Sequence, residues 1–516
     1  MGQPLAGWHL GGYQEAMTLE PSLSQNAEPL CPTGVEGLDH ILRGGLPANR
    51  VYLLRGAPGV GKTTLALQYL LKGAEQGEPG LYLTLSETRE EIEGVARSHG
   101  WNLDKIAIFE LSMLEEHLKQ ETQNTVFYPF EVELNKTTDA MLAKIEEIKP
   151  RRIALDSLSE LRLLADSTLR YRRQMLALKH YFGGKKITVL LLDDHVGIEE
   201  DLQVQSIAHG VIVMELLALD YGAKRRRLEV AKLRGVNFVG GYHDMSIVPG
   251  GMKVFPRLIA AEHQPKLDLP LLTSGNADLD KLLGGGIERG ASCLLLGPAG
   301  TGKSTLAMQF ATAAADRGEK ASFYLFDEGL EGMVKRGEAL GMTMGQHLAT
   351  GMITTRQIDP AEMAPGEFVN LIRHQVEKGG SRVIIIDSLN GYLHAMPAAK
   401  YLAIQLHELQ RFLAGQGVVT LLTVTQHGLL GQMQTPIDLT YLADVVLLLR
   451  YFELQGEIRK ALSVVKNRGG KHETTIREFR FSPSGIDVGD PLKDFAGVLT
   501  GVPIFTGDPK RLAQEQ

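Results

Sequence analysis

The stretch GAPGVGKTTLALQYLL, residues 56–71, returns later in the chain as GPAGTGKSTLAMQFA, residues 297–311. Each copy opens with the pattern G-x-x-x-x-G-K-[ST], follows an apolar, strand-like run and continues into a helix-like apolar period. That context is typical of a P-loop, where glycines let backbone N–H groups surround phosphate oxygens and a helix amino terminus adds positive charge. The alternative is a glycine-rich turn between strand and helix, which two complete matches in one chain disfavour.

The P-loop residues predict a site for ATP and Mg²⁺ in each copy. We expect Lys62 and Lys303 to reach the β- and γ-phosphates, and the hydroxyls of Thr63 and Ser304 to bind Mg²⁺. The other P-loop residues expected to bind ATP are Gly56, Gly59, Val60, Gly61, Thr64, Gly297, Gly300, Thr301, Gly302 and Thr305.

The two P-loops belong to a duplicated domain. TGVEGLDHILRGGLPANRVYLLR, residues 33–55, matches SGNADLDKLLGGGIERGASCLLL, residues 274–296, in the same register as the P-loops. Short apolar runs alternate with longer helix-like stretches, which predicts an α/β fold with a central, mainly parallel sheet in each copy. We divide the chain into an extension (1–29), a first domain (30–258), a second domain (259–500) and a tail (501–516).

Acidic residues follow several of the apolar runs. Asp156 and Asp387 each end such a run, where a carboxylate is placed to hold the water shell of Mg²⁺; the alternative is a helix N-cap. Glu87 lies just past the strand that follows the P-loop helix in the first copy, and Asp327 and Glu328 lie at the same place in the second. We expect these three residues to activate the attacking water, with a solvated loop acid as the alternative.

Composition limits the classes of function. Among 516 residues there are 54 Lys+Arg and 61 Asp+Glu, so the net charge of −7 disfavours a protein dedicated to nucleic acid or to an anionic membrane. The basic run KRRR, residues 224–227, is either a nucleic-acid patch or a solvated turn. Two cysteines and no long apolar run argue against a disulfide framework and a membrane span, so we expect a cytoplasmic protein.

Four stretches outside the P-loops resemble the KaiC family of the RecA/DnaB P-loop superfamily. They are TGVEGLDHILRGGLP (33–47), ETREEIEGVARSHGWNL (87–103), RRRLEVAKLRG (225–235) and FELQGEIRKALSVVKNRG (452–469). The resemblance covers about residues 30–503. It implies two tandem RecA-like P-loop NTPase domains and a hexamer of two stacked rings, with ATP held between neighbouring subunits.

The resemblance also implies roles for single residues. Ser98 would lie at the base or sugar side of the nucleotide. Residues that would contact nucleotide bound by the neighbouring subunit are Lys232, Leu233 and Arg234 in the first ring and Lys460, Lys466, Asn467 and Arg468 in the second.

The second domain of the family phosphorylates itself on an adjacent Ser-Thr pair. Alignment of ADVVLLLRYFELQGE, residues 443–457, places Thr440 and Tyr441 at that pair, so the resemblance makes Thr440 the acceptor. Tyr441 stands where the family has threonine. The family's Glu-Glu pair is Asp327-Glu328 in the second domain, and Ser86-Glu87 in the first.

The function expected from these observations is a KaiC-like ATPase that acts as a signalling or timing regulator and phosphorylates itself in its second domain. Its expected partners are copies of itself and a KaiB-like or signalling protein, without nucleic acid or membrane. Two alternatives stay open: a nucleic-acid-dependent ATPase of RecA/DnaB type, which DNA would stimulate, and a nucleotide-gated scaffold with little turnover.

Overall fold

The computed structural model describes residues 29–111, 129–165, 167–194, 202–218, 222–259, 270–394, 399–426, 441–454, 456–483, 485–500 and 504–506. Within these ranges the chain forms two tandem RecA-like α/β domains, each built on a mostly parallel sheet of nine strands. The predicted fold class is therefore confirmed. The division between the domains stays a prediction, because residues 260–269 lie outside the described ranges.

The first domain carries the first P-loop between a central strand and the helix that follows it. Its strands are β1 (Leu30–Cys31), β2 (Leu46–Pro47), β3 (Val51–Gly56), β4 (Gly80–Thr84), β5 (Ile106–Glu110), β6 (Arg152–Asp156), β7 (Thr188–Asp193), β8 (Gly210–Leu217), β9 (Arg225–Leu233), β10 (Tyr242–Val248) and β11 (Gly251–Phe255). Its helices are α1 (Glu36–Ile41), α2 (Lys62–Glu75), α3 (Arg89–Ser98), α4 (Pro129–Ile148), α5 (Leu158–Leu164), α6 (Thr168–Lys185) and α7 (Leu202–Ile207).

The second domain repeats this plan. Its strands are β12 (Ser292–Gly297), β13 (Ala321–Leu325), β14 (Ile353–Gln357), β15 (Val383–Asp387), β16 (Val419–Thr425), β17 (Val445–Leu454), β18 (Glu457–Asn467), β19 (Arg477–Ser482), β20 (Gly485–Pro491), β21 (Phe495–Ala496) and β22 (Ile504–Phe505). Its helices are α8 (Ala277–Leu282), α9 (Lys303–Asp316), α10 (Leu330–Ala339), α11 (Met344–Ala349), α12 (Pro365–Glu377), α13 (Leu389–His394) and α14 (Ala399–Gly415), and a 3-10 turn covers Val498–Thr500.

The two large sheets have the same strand order. It runs β11-β10-β9-β8-β3-β7-β6-β4-β5 in the first domain and β20-β19-β18-β17-β12-β16-β15-β13-β14 in the second. In each sheet six neighbouring strands are parallel, from β8 to β5 in the first and from β17 to β14 in the second. The remaining three strands of each sheet pair antiparallel. In each domain the strand before the P-loop is therefore covered by a parallel neighbour on both edges.

The strands that carry the P-loops are buried on both faces, which explains their unbroken apolar sequences. Successive side chains of a strand point to opposite faces of the sheet. Accordingly, Tyr52 and Leu54 pack in one core cluster of the first domain, and Val51 and Leu53 pack in the other. A strand anchored on both faces holds its carboxyl end, and hence the P-loop, in a fixed position.

Side chains of β9 and β10 connect the first domain to the second. Asp244 accepts a hydrogen bond from the backbone N–H of Gly366 (2.7 Å), at the amino end of α12, and Arg225 donates to the carbonyl of Pro360 (3.0 Å). Beside them, the guanidinium of Arg257 pairs with Glu408 at 3.1 Å. These polar contacts hold β9, β10 and the segment after β11 against the second domain.

The basic run at residues 224–227 is not a solvated turn, because its arginines begin a strand and Arg225 contacts the second domain. Its arginines begin β9, and each has an oxygen acceptor: Arg225 at the second domain, Arg226 at the carbonyl of Gly59 (3.5 Å) and Arg227 at Glu215 (2.7 Å). No helix in the described part of the chain is long and apolar enough to cross a membrane.

Candidate functional site

Each P-loop turns from the carboxyl end of its strand into the amino end of a helix through a glycine with positive φ. Gly61 has φ 112° and Gly302 has φ 106°. A Cβ at Gly61 would lie 2.5 Å from the Cδ1 atom of Ile247, and a Cβ at Gly302 would collide with the ring of Phe481. These positions therefore require glycine both for the backbone conformation and for the packing of β10 and β19 over the loops.

The P-loop lysines are both buried but have different partners. Lys62 donates to the carbonyl of Gly56 (2.7 Å) and pairs with the carboxylate of Asp194 at 2.5 Å. Lys303 donates to the carbonyls of Gly297 (3.0 Å) and Pro298 (2.7 Å). Burial lowers the pKa of Lys303 to about 8, against a weaker opposing effect of the Asp387 charge. Both lysines are therefore held by two loop carbonyls, and only Lys62 also pairs with an acid.

Asp156 and Asp387 lie beside the P-loop hydroxyls, as a magnesium site requires. Burial raises the pKa of both carboxyls, and the hydroxyls of Thr63 and Ser304 oppose the rise. Asp387 Oδ2 is buried and has no hydrogen-bond partner among the described residues. A hydroxyl beside a carboxylate, with one buried carboxylate oxygen left without a partner, fits a cation that keeps several of its waters. Mg²⁺ is usually held in this way.

The other oxygens of these two aspartates are fixed by side chains of neighbouring strands. The Tyr82 hydroxyl donates to Asp156 Oδ2 at 2.6 Å, and the Thr423 hydroxyl donates to Asp387 Oδ1 at 2.5 Å. The helix after Asp156 begins beyond Ser157, whose side chain makes no capping hydrogen bond. At the second site, however, the hydroxyl of Ser388 accepts a hydrogen bond from the backbone N–H of Gly391 (3.3 Å), so the capping interpretation fits the Asp387-Ser388 pair. The metal role of both aspartates stays a prediction supported by the donor set.

Glu87 is the acidic residue of the first site whose surroundings fit a general base. Its Oε2 atom is buried and has no hydrogen-bond partner among the described residues. Burial, and then the negative charges of Asp156, Glu91 and Asp194, raise its pKa to about 7. A carboxylate with such a pKa can take a proton from water near neutral pH.

The acids of the second site are both held by donors. Glu328 accepts two hydrogen bonds from the guanidinium of Arg336, at 2.6 and 2.7 Å, and Asp327 accepts one from the hydroxyl of Ser388 at 2.5 Å. A cavity of about 490 Å³ brings both acids together with the P-loop; among the residues that line it are Gly300, Gly302, Lys303, Ser304, Thr305, Asp327, Glu328, Arg336, Asp387 and Lys460.

A family model connects this geometry to known proteins. The model described as "ATPase: KaiC" matches residues 31–259 and 272–493, one match for each domain. The chain belongs to the KaiC ATPase family. That assignment agrees with the resemblance read from the sequence.

Curated relatives match most of the chain at low identity. The "Circadian clock protein KaiC3" of Synechocystis sp. is 26% identical over 489 residues, which cover 92% of this chain and 94% of that protein. The "Circadian clock oscillator protein KaiC" of Synechococcus elongatus is 26% identical over 485 residues, 91% of each chain. The protein with that same description from Prochlorococcus marinus subsp. pastoris is 27% identical over 486 residues, 92% of this chain and 93% of its own.

Lys460 lies close to the P-loop of its own domain. It lines the cavity over that loop, with Nζ 4.4 Å from the ring centroid of Phe481, while its contact with a neighbouring subunit's nucleotide stays a prediction. The reason is the strand register: Lys460 lies opposite Tyr451, near the P-loop end of β17. In the first domain Arg226 holds the same register position, opposite Leu216, and donates to Gly59 of the P-loop.

Residues Lys232 and Lys466 lie toward the opposite end of their sheets. Lys232 pairs with Val211 and Lys466 pairs with Val446. Each of these valines lies three residues before the level of the P-loop along its strand. At the usual rise of a strand, this places the backbone of each lysine about 10 Å from that level. Their ammonium groups point further away, to the carbonyls of Ala208 (2.8 Å) and Ala443 (2.7 Å). Neither lysine reaches its own P-loop.

The residues around these lysines share their location. The guanidinium of Arg234 donates to the carbonyl of Ser206, that of Arg468 donates to Tyr441, and the amide of Asn467 donates to Leu283. Leu233 is buried beside them. This placement agrees with a contact to nucleotide on a neighbouring subunit, and that contact stays a prediction.

The roles of two other residues, Ser98 and Thr440, stay predictions. The hydroxyl of Ser98 donates to the carbonyl of Val95 within α3, at 2.7 Å. Thr440 lies outside the described residues, and its neighbour Tyr441 is 56% exposed.

Sequence reasoning missed three charged residues of the sites: Asp194, Arg226 and Arg336. Asp194 stands in LLLDDH, residues 190–195, directly after an apolar strand, so it offered the same signal that identified Asp156. Arg226 could have been found by aligning RRRLEVAK with EIRKALSVVK. Arg336 carried no signal, because a lone arginine in a helix is ordinary.

Proposed function

We propose that this protein binds ATP with Mg²⁺ at both P-loops and hydrolyses it, chiefly at the first. The observation that carries this proposal is Glu87: a half-buried carboxylate whose buried Oε2 has no partner among the described residues and whose pKa is raised to about 7, at the strand end beside the P-loop. Family membership supports the reaction class, because the matched model is that of an ATPase.

In the proposed reaction ATP draws Lys62 away from Asp194 to its β- and γ-phosphates. Backbone N–H groups of the P-loop and the amino end of α2 hold the phosphate oxygens. Thr63 and Asp156 would hold Mg²⁺, which neutralises charge on the transferring phosphoryl group when bound. Asp156 and Asp194 lie at the carboxyl ends of parallel strands, and Lys62 and Thr63 open the helix that follows the P-loop.

Glu87 then accepts a proton from the attacking water. The water oxygen forms a bond to the γ-phosphorus, the bond from that phosphorus to the ADP oxygen breaks, and the proton passes from Glu87 to solvent. The products are ADP and inorganic phosphate. The position of Glu87 in the first domain corresponds to Glu328 in the second, where Arg336 occupies the carboxylate.

The test is ATP turnover of Glu87→Gln compared with Glu90→Gln, both made in Lys303→Ala protein so that only the first site contributes to the turnover. Glutamine keeps the shape of Glu87 but cannot accept the proton, so we expect turnover to fall by about 10²- to 10⁴-fold. Glu90 is an exposed acid three residues along the chain, and its variant serves as the matched control. Turnover in Glu87→Gln equal to that of the control would refute the assignment.

The assembly proposed for this chain is a homohexamer of two stacked rings with ATP between subunits. Lys232, Arg234, Lys466 and Arg468 support it, because they lie away from the P-loops of their own domains. If these residues bind a neighbour's nucleotide, ATP stabilises the ring by linkage. Light scattering with and without ATP and Mg²⁺ measures this, and a monomer at every nucleotide concentration would contradict it.

We also propose slow transfer of phosphate to Thr440 in the second domain. The Thr440 oxygen would form the bond to the γ-phosphorus while ADP leaves, and Asp327 would take the hydroxyl proton. Asp327 lines the cavity with Lys303, which would position the phosphate. Incubation with ATP and Mg²⁺ followed by mass spectrometry of residues 434–450 tests it, and no added phosphate there would leave an ATPase without kinase activity.

The biological role that fits these activities is a timing or signalling regulator. The curated relatives that support it carry circadian clock names. Its partner would be a KaiB-like or signalling protein, which a pull-down from the native host would identify. DNA that fails to stimulate ATP turnover would agree with this role, and clear stimulation would favour the nucleic-acid-dependent alternative.

A further inference from the structure

The acidic residues after β4 and β13 occupy equivalent positions but differ in their partners. Glu87 lies two residues before α3, and Glu328 lies two residues before α10. Arg336, two turns into α10, donates two hydrogen bonds to Glu328. The residue at the same place in α3 is Val95, an apolar side chain that packs against the core of its domain. The difference between Val95 and Arg336 therefore accompanies a difference between the carboxylates: Glu87 has an oxygen without a partner in the described part of the chain, and both oxygens of Glu328 are held.

We propose that Arg336 is a positioning residue that restrains Glu328 and so slows ATP hydrolysis at the second site. The inference rests on the proposed ATPase function. It gives the second P-loop a distinct task, which is to hold ATP between rare turnovers, while the first P-loop carries most of the hydrolysis.

The restraint follows from the geometry of the pair. A guanidinium that faces a carboxylate with two parallel N–H groups fixes the positions of both of its oxygens. To accept a proton from water, Glu328 must rotate out of this arrangement or share its oxygens. The pair is about one third exposed, at 36% for Arg336 and 30% for Glu328, so the restraint is moderate rather than absolute.

The neighbouring groups do not relieve the restraint. Asp327, the other acid of the cavity, is itself held by the hydroxyl of Ser388. Asp387, on β15, adds negative charge on the side of the P-loop, while Lys303 and Lys460 bring positive charge from α9 and β18. In the first domain Ser86 stands in place of Asp327, so Glu87 is the acid of this pair there.

Arg336 could instead bind the phosphates of ATP directly, because it lines the same cavity as Lys303. The two roles predict opposite effects of removing it. A phosphate ligand stabilises the transition state, so its loss lowers kcat or raises KM. A restraint on the base slows the chemical step, so its loss raises kcat and leaves KM near its original value.

The experiment uses the full chain with the first site disabled by Lys62→Ala, so that ATP turnover reports the second site. In that background Arg336→Val copies the residue of the first domain, and Arg336→Gln keeps the length of the side chain without its charge. Lys335→Val is the matched control, since Lys335 is an exposed neighbour that pairs with Glu331 on the outer face of α10.

We expect Arg336→Val and Arg336→Gln to raise kcat by about fivefold, the size expected for a partly exposed ion pair, with KM within twofold. Arg336→Lys, which keeps the charge, should restore a rate close to that of the parent, and Lys335→Val should leave the rate unchanged. An unchanged or lower kcat in both neutral variants would overturn the inference. The proposed function is tested separately by Lys303→Ala, in which only the first site remains.

Discussion

The two P-loop sites of this chain share a fold but differ in which charged side chain forms an ion pair: the P-loop lysine in the first site and the glutamate in the second. In the first site the P-loop lysine Lys62 is paired with Asp194, and the catalytic candidate Glu87 has an oxygen without a partner among the described residues. In the second site Glu328 is paired with Arg336, and Lys303 is held by loop carbonyls. Duplication has preserved the phosphate loops and strand order, while the ionic partners have diverged.

Single positions account for this divergence. Asp194 follows β7 directly beside Gly56 of β3, and the register of β16 against β12 puts Thr425 in the same place, beside Gly297. Val95 and Arg336 are the second such pair. An acid near the lysine weakens its attraction for phosphate, and a guanidinium near the base restrains proton transfer. The first site is thus suited to turnover and the second to retention of nucleotide.

The largest expected effect comes from removing either P-loop lysine. Lys62→Ala and Lys303→Ala should each abolish binding at one site, because backbone dipoles alone only partly neutralise the phosphate charge. Equilibrium binding of labelled ATP should therefore show about half the stoichiometry in each single variant. Full stoichiometry in the double variant would show that these loops are not the ATP sites.

A second effect follows from the raised pKa of Glu87. The base must be deprotonated, so in Lys303→Ala protein kcat/KM should fall as pH drops through about 7, approaching tenfold per pH unit below it. Glu87→Asp should keep this fall of kcat/KM at low pH. If Glu87→Gln protein shows the same fall unchanged, the titrating group is a different residue. Lys62→Ala protein, in which only the second site remains, should not show this fall of kcat/KM near pH 7.

A smaller effect is expected at Asp194. Replacing it with Asn removes the carboxylate that competes with phosphate for Lys62, so the first site should bind ATP about threefold to tenfold more tightly. Thr425→Asp is the reciprocal change and should weaken ATP binding at the second site. Isothermal titration of single-site proteins measures both, and weaker binding by Asp194→Asn would mean that Asp194 helps to hold the ligand.

The main parts of this architecture could be predicted from the sequence because they depend on local pattern. The P-loops, their duplication and the strand-end acids Asp156 and Asp387 are carried by short motifs in an alternating strand and helix context. The fold class followed from the same alternation. Family resemblance then supplied the domain type, which the family match confirms.

The partners of the site residues could not be predicted in the same way, because they depend on register and on long side chains. Lys460 faces its own P-loop because β18 pairs with β17 so that Lys460 meets Tyr451, and a bulge near Val446 shifts that register. Arg336 reaches Glu328 across eight residues, a separation that no helix-neighbour rule joins. The role of Thr440 stays a prediction, since it lies outside the described residues.

The most direct test of the central claim is the turnover of each site measured alone. Lys303→Ala protein reports the first site and Lys62→Ala protein reports the second, with ATP and Mg²⁺ in excess and released phosphate as the readout. We expect the first site to hydrolyse ATP about fivefold or more faster than the second, and the second site to retain ATP through gel filtration. Equal rates, or a faster second site, would contradict it.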